Sequence, residues 1–290
     1  MGLLPRERAR SRLSTRLERG EPQTLNLSHA IRRFDRFELK YLVPIKVAEA
    51  FKAPLRAYLV PDDHGDTLGS YDLASLYYDG PDLQFYWEKV DGIKFRRKLR
   101  IRYYESGGPL TADSPVFVEI KQRVNKVTQK RRLILAYRDA LRLCDGRQIP
   151  DHAPQDEAVV DEVAGMLWQY NLRPASIVRY SRQALVGTEY DIGLRVTFDN
   201  DLAYQAGHLR LDDRRAGLPM FPPGWTVIEI KVNERIPFWL TDLVARYNLN
   251  LVRVSKYCRS VELARDREVP ACRWSPSPCL QGPLQWRPSL

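Results

Sequence analysis

The chain has 290 residues, 44% of them hydrophobic, which suits one large domain or two small ones with a buried core. Its 46 Lys and Arg outnumber 36 Asp and Glu, and the net charge of +10 points to a polyanionic partner: nucleic acid, an anionic membrane surface or a phosphorylated small molecule. No run of roughly 18 apolar residues is present, so no membrane-spanning helix is expected. Cys144, Cys258, Cys272 and Cys279 form neither a Cys-x-x-Cys pair nor a zinc-ligand spacing, which fits reduced thiols in a cytoplasmic protein.

Residues 1–32 alternate Arg with Glu, Ser and Leu and read as a basic flexible tail or surface helix. They contain no apolar stretch of the signal-peptide kind, and peripheral membrane association through this tail stays open. Residues 33–265 carry the folded unit. Arg36–Val43 alternates as a strand and leads through Pro44 into a helical pattern over Ile45–Leu59. Strand patterns follow at Ser70–Tyr78, Lys94–Tyr104, Val116–Arg123 and Lys126–Ala136. A helix is expected over Asp156–Tyr170, with Val159, Val160, Val163, Met166 and Leu167 on one face. Strands return at Ser176–Val186, Gly193–Asp199 and Thr226–Asn233. Helices over Pro237–Tyr247 and Ser255–Leu263 end the unit, the second capped by Ser255. Residues 266–290 hold Pro270, Pro276, Pro278, Pro283 and Pro288 and read as a Pro-rich tail. The short links favour antiparallel neighbours, and eight strands suit a closed barrel flanked by helices, an α+β fold.

The residues that alternate with the apolar ones are unusual. Arg96, Lys98, Arg100 and Arg102 share one face of their strand, opposite Phe95, Leu99, Ile101 and Tyr103. Four like charges on one face call for an anion opposite them. A second pattern occurs three times: Glu38-Leu39-Lys40, Glu119-Ile120-Lys121 and Glu229-Ile230-Lys231. In each, Glu and Lys project from the same face of a strand. An ammonium can meet phosphate oxygens there while the carboxylate holds a hard cation bridging them. Lys130, Arg182 and Arg195 extend the basic wall, and Arg253, Ser255 and Lys256 stand at a helix start, where free amides also suit phosphate.

Charges at alternate positions are ordinary on a wet sheet face. What sets this chain apart is their recurrence on most of the strands together with the repeated Glu-apolar-Lys spacing. His29, His64, His152 and His208 read as surface histidines, and Asp79 as closing a turn. Tyr77, Tyr78, Phe85, Tyr86 and Trp87 read as core or rim. No P-loop is present, and no Ser/His/Asp or Cys/His set stands out.

The segments RFELKYLV, LYYDGPDLQFYWEKVDGIKFRRKLRIRYY, VFVEIKQR, VRYSRQAL, LRVTFDNDL, VIEIKV and VRVSKY stand in this order. Together they resemble the VTC domain, the polyphosphate polymerase domain of the vacuolar transporter chaperone complex, within the triphosphate tunnel metalloenzymes related to the CYTH proteins. The resemblance implies an eight-stranded antiparallel tunnel that takes ATP with Mn²⁺ or Mg²⁺ and transfers the γ-phosphoryl group to inorganic polyphosphate. It implies Lys40, Arg100, Arg102, Lys121, Lys130, Arg182 and Arg195 as phosphate ligands, with Lys98 on the same face. Glu229 is the implied metal carboxylate, with Glu119 and Glu38 as further candidates. Arg253, Ser255 and Lys256 match the cluster at the tunnel end, though the family often has Lys where Arg253 stands. Arg100, Arg102 and Lys256 are the residues expected to carry catalysis. Hydrolytic relatives begin with Glu-x-Glu-x-Lys; here Arg36 replaces the first Glu, which favours a polymerase over a triphosphatase. The SPX domain and membrane helices of eukaryotic members are not recognised in the sequence. Two alternatives stay open: a tripolyphosphatase or nucleoside triphosphatase in the same tunnel, and a non-catalytic polyphosphate- or RNA-binding protein. Nucleic acid is the less expected partner, because three Glu beside the basic residues would repel its backbone.

Overall fold

The structure is a computed structural model that describes residues 36–105, 108–125, 127–213, 215–233 and 235–268. The N-terminal tail, His29, Cys272, Cys279 and nearly all of the Pro-rich tail lie outside the described residues. In chain order the elements are β1 (Arg36–Pro44), α1 (Ile45–Leu55), β2 (Leu59–Pro61), β3 (Ser70–Asp79), α2 (Gln84–Val90), β4 (Phe95–Tyr104), β5 (Pro115–Val124) and β6 (Val127–Ala136). Then come α3 (Tyr137–Cys144), a 3₁₀ turn (Pro154–Asp156), α4 (Glu157–Gln169), β7 (Arg173–Gly187) and β8 (Arg195–Gln205). The last are β9 (Leu218–Pro219), β10 (Trp225–Asn233), α5 (Phe238–Arg246) and α6 (Lys256–Glu268).

All ten strands form one antiparallel sheet, an α+β arrangement with flanking helices. Eight run in the order β1-β10-β8-β7-β3-β4-β5-β6, while β2 pairs with β7 and β9 with β8. Each of the eight expected strands is present. Two short strands add to them, and among the described residues no ladder joins β1 to β6. The expected closed eight-stranded barrel is therefore a ten-stranded sheet that hydrogen bonding leaves open. Alternation sets which face a residue takes; closure depends on tilt and stagger between strands, which alternation does not encode. The sheet nevertheless curls until its two ends meet through side chains. Lys121 on β5 reaches Glu38 on the far edge strand β1, Nζ to Oε2, at 3.2 Å.

Period two then divides the apolar residues between the two faces. On the outer face of β3 to β6, Leu76, Leu99, Ile101, Val118 and Ile120 pack with Leu143 of α3 and with Val160, Val163 and Leu167 of α4. A second outer core joins Tyr41, Val196, Phe198, Ile228 and Ile230 to Phe51 and Leu55 of α1 and Leu240 of α5. Burial of each such side chain contributes about 1.5–3 kcal/mol. The third cluster lies on the inner face, where Leu73, Val178, Tyr180 and Val227 meet Tyr257, Cys258 and Val261 of α6. Four helices thus cover the sheet from outside, and α6 packs within its curl.

Helix ends follow local chemistry. α1 stops at Leu55 rather than Leu59 because Arg56, Ala57 and Tyr58 donate to carbonyls three residues back, which tightens the chain before β2 joins β7. Ser255 caps α6 as expected, its Oγ accepting from the Cys258 amide at 3.3 Å. No helix of the described residues is long and apolar enough to cross a membrane.

Candidate active site

The residues that do not face the outer cores face the inside of the curl, and there they are charged. On β10, Ile228 and Ile230 are buried in the outer core, so Glu229 and Lys231 turn inward. The same parity turns Glu38 and Lys40 of β1, Arg195 and Asp199 of β8, Arg182 of β7, and Glu119 and Lys121 of β5 inward. Arg96, Lys98, Arg100 and Arg102 of β4 follow, as the sequence pattern predicts.

Glu229 is the centre of one group. It is 4% exposed. Lys40 lies 3.0 Å from its Oε1, Lys256 donates to the same oxygen at 2.7 Å, and Lys231 lies 3.3 Å from Oε2. Lys40 also reaches Glu38 at 3.3 Å, so it bridges two carboxylates. Lys256 bridges two as well, reaching Asp199 at 2.5 Å. Arg182 holds Asp199 with both arms, Nε at 2.6 Å and Nη2 at 2.8 Å, and approaches Glu229 at 3.6 Å. Burial alone would raise the carboxyls of Glu229 and Asp199. The surrounding cations win: Lys256 and Lys40 foremost hold Glu229 well below the usual carboxylate range, and Arg182 foremost lowers Asp199. Lys231 goes the other way: burial, opposed by Glu229, pushes it down to about 7.

A second group centres on Glu119, 1% exposed. Arg100 donates to its Oε2 through Nε at 2.8 Å and Nη2 at 2.6 Å, and Lys130 donates to Oε1 at 3.1 Å. Both oxygens are thus engaged by residues that do not touch Glu229 or Glu38. Arg100 also donates to the Tyr77 hydroxyl at 3.1 Å. Arg102, 8% exposed, donates to Ser75 Oγ at 3.1 Å and to Tyr180 at 3.3 Å. The ammonium of Lys256 and the guanidinium of Arg182 lie 4.9 and 5.2 Å from the centre of the Tyr180 ring.

The other expected residues spread outward from these groups. Lys98 donates to Ser255 Oγ at 2.8 Å, which ties β4 to the start of α6. Arg195 donates to the Tyr71 hydroxyl at 2.7 Å and pairs with the buried Asp62. Arg253 is exposed. The structure brings Lys40, Arg182, Glu229, Glu38 and Lys256 into one contiguous network, and Arg100, Lys130 and Glu119 into another. Sequence reasoning missed Asp199, Asp62, Tyr77 and Tyr180 as members, and reached Lys231 only as the ammonium of the third Glu-apolar-Lys repeat. Parity was the available signal for Asp199: it shares its face with Arg195, four residues earlier. In and at the rim of the curl, ten Lys and Arg heads that pair with an acid or donate to a hydroxyl stand among five carboxylates of the described residues.

Among the described residues no set of three or more His, Cys, Asp or Glu side chains is grouped to hold a metal unaided. The donor chemistry still suits a hard divalent cation. Such a cation is commonly held by one or two carboxylates and completed by phosphate oxygens and water. Glu229, alone or with one neighbour, Glu38 through Lys40 or Asp199 through Lys256, offers that number of carboxylates. Glu119 fits less well, because Arg100 and Lys130, which hold it, reach no second carboxylate among the described residues.

A family model described as the VTC domain matches residues 35–265. No curated protein sequence matches the chain. Among solved structures, a candidate adenylate cyclase from Bacillus halodurans is similar with a TM-score of 0.44 at 14% identity, covering 75% of this chain and 92% of that one. A candidate adenylyl cyclase from Hippeastrum, described as having a dominant triphosphatase activity, gives a TM-score of 0.44 at 12% identity, covering 81% of this chain and 97% of that one.

Proposed function

The chain belongs to the VTC domain family, and on that premise we propose that it is a metal-dependent polyphosphate polymerase acting in the cytoplasm. It moves the γ-phosphoryl group of ATP onto the end of an inorganic polyphosphate chain, inside a tunnel formed by the curled sheet. The observation that carries this reading is the enclosed charge: ten cationic heads around five carboxylates leave an excess that a triphosphate offsets.

Phosphoryl transfer needs positioning and charge neutralisation more than covalent chemistry. A terminal polyphosphate oxygen attacks the γ-phosphorus. The bond from that phosphorus to the bridging oxygen breaks, and ADP leaves with the electron pair on its terminal phosphate. The attacking oxygen is already anionic at neutral pH, so no strong general base is required. In this reading Arg100, Arg102 and Lys256 neutralise the transferring group, while Lys40, Lys98, Lys121, Lys130, Arg182 and Arg195 hold the chain in line. When bound, Mn²⁺ or Mg²⁺ supplies further neutralisation between phosphate oxygens. Glu229, flanked by Glu38 and Asp199, would hold it.

A tripolyphosphatase is the second reading, favoured by three carboxylates within reach of Lys40 and Lys256. Arg36, where hydrolytic relatives carry a Glu, speaks against it. Incubation with ATP and Mn²⁺ followed by gel analysis separates the two: long polyphosphate supports the polymerase, and free phosphate alone supports the hydrolase. Arg100→Ala, Arg102→Ala and Lys256→Ala should each reduce polymer formation by roughly a hundredfold or more while the circular dichroism stays native. Full activity in any two of them would sink the tunnel assignment.

A further inference from the structure

Most cations inside the curl meet a carboxylate. The beginning of β4 differs. There Lys89 of α2, Arg96 and Lys98 of β4, Arg123 of β5 and Arg253 ahead of α6 gather. Arg96 and Arg123 are register partners on adjacent strands. Lys89 lies within electrostatic reach of Arg96, Lys98 and Arg253. None of the five forms an ion pair among the described residues. The acid that acts on Arg96 is Glu88, and its oxygens already accept from the Arg97 amide at 3.1 Å and from Gln84 at 3.4 Å. Lys98 donates to Ser255, and Arg123 to the Asn125 carbonyl. The side chains of Lys89 and Arg96 make no hydrogen bond among the described residues.

Scattered basic residues on a wet rim need no ligand. This set differs in two respects. Lys89, Arg96 and Lys98 are half-buried, so the repulsion among them is only partly screened. Burial and neighbouring cations both make the charged forms of Lys89 and Arg96 less favourable than usual. The set is also continuous with the tunnel. Along the inner face of β4, Arg96, Lys98, Arg100 and Arg102 stand about 7 Å apart in succession. A chain of phosphates leaving Arg100 would pass Lys98 and enter the cluster.

We propose that Lys89, Arg96 and Arg123, with Lys98 and Arg253, form a further run of phosphate subsites. They take the units of a linear polyphosphate beyond the three that the inner residues hold. The proposal rests on the triphosphate tunnel and specifies its ligand: a chain of four or more phosphates fills this end, and a triphosphate does not reach it.

The test is calorimetric binding to the full chain with divalent metal chelated, so that no turnover occurs. The ligands are tripolyphosphate and a size-fractionated medium-chain linear polyphosphate. Wild type should bind the longer chain roughly tenfold or more tightly, as expected for added charge-assisted contacts. The combined variant Lys89→Ala/Arg96→Ala/Arg123→Ala should lose that advantage while its tripolyphosphate affinity moves by less than roughly twofold. A variant with the same charge change elsewhere, Lys46→Ala/Arg56→Ala/Arg142→Ala, should keep the advantage. Equal loss for both ligands, equal loss in the charge control, or no advantage in wild type overturns the proposal. So does orthophosphate that still binds through Lys89, Arg96 and Arg123 when tripolyphosphate is saturating, since the cluster would then be a separate small-anion site. Failure of wild type to bind tripolyphosphate would instead strike the tunnel reading itself.

Discussion

Tyr77 shows how the enclosed cations act on a single group. Burial alone would raise its phenol, but Arg100, Arg102 and Lys98 pull it down to about 8. Above that pH folded Tyr77 has lost its proton, while an unfolded tyrosine keeps one to about 10. The unfolded state then binds more protons, so this group adds stability as pH rises from about 8 toward 10. A bound triphosphate opposes the phenolate. A phenolate absorbance step near pH 8 is expected in the free protein, absent from Tyr77→Phe and displaced upward by tripolyphosphate; a variant that titrates like wild type would refute the assignment. Glu229 carries the opposite charge and a different prediction. In Glu229→Gln, Lys40, Lys231 and Lys256 lose their shared carboxylate while the shape is kept. Metal-dependent turnover should fall by roughly a hundredfold or more, and metal-free tripolyphosphate binding should hold or tighten. Breaking a buried ionic network should also lower stability by about 3 kcal/mol. Unchanged turnover would remove Glu229 from the metal site.

At the scale of elements, the strands were the legible part, because outer core and inner charge alternate along nearly every one. Lys40, Arg100, Arg102, Arg182 and Glu229 could therefore be placed on one face from sequence parity. The missed elements lack such a signal. β2 and β9 are three and two residues long, α2 has seven residues, and α3 begins directly where β6 ends, with no turn residue between them. Pairings across the fold, such as Lys256 with Asp199, depend on how α6 lies against β8, which local patterns do not carry. Asp79, expected to close a turn, shows the same limit. It is 1% exposed and accepts from the amides of Gly80, Phe85 and Tyr86 and from the Tyr257 hydroxyl, at 2.5–3.0 Å. Two of those amides belong to the first turn of α2, so Asp79 caps that helix from a distance of several residues. Tyr257 stacks on Tyr77 at 5.1 Å and sits next to Lys256. Asp79→Ala should therefore cost about 3 kcal/mol, since several buried donors lose their acceptor. Tyr257→Phe, which keeps the stack, should cost about 1 kcal/mol. Chemical denaturation measures both, and equal costs would show that the amides of α2 do not depend on Asp79.

Across the whole molecule, the sheet carries apolar faces toward helices outside and charged faces toward its own interior. The α6 plug covers one part of that interior, Tyr257 and Val261 packing with Tyr180 of β7, and the rest holds the ten contact-making cations and five carboxylates. Repulsion among the excess cations works against the empty fold, and an enclosed polyanion relieves it. Ligand linkage sets the size of the effect: tripolyphosphate at roughly a hundred times its Kd adds about 2.7 kcal/mol. In a domain of this size that raises Tm by roughly 5–10 °C. Enclosure also fixes the salt response. Exposed charges separated by more than about 8 Å are screened at physiological ionic strength, whereas buried pairs are screened far less. A tunnel should therefore keep most of its Tm shift when salt rises to that level. Single-stranded RNA, whose phosphates carry bases that the charged interior offers no partners for, should give little shift at any salt. A basic outer surface would behave in reverse, with RNA stabilising the protein at low salt and losing its effect as salt rises. A thermal-shift series with both ligands across ionic strength distinguishes the two arrangements, and an RNA-dependent, salt-erased shift would place the polyanion on the outside of the sheet.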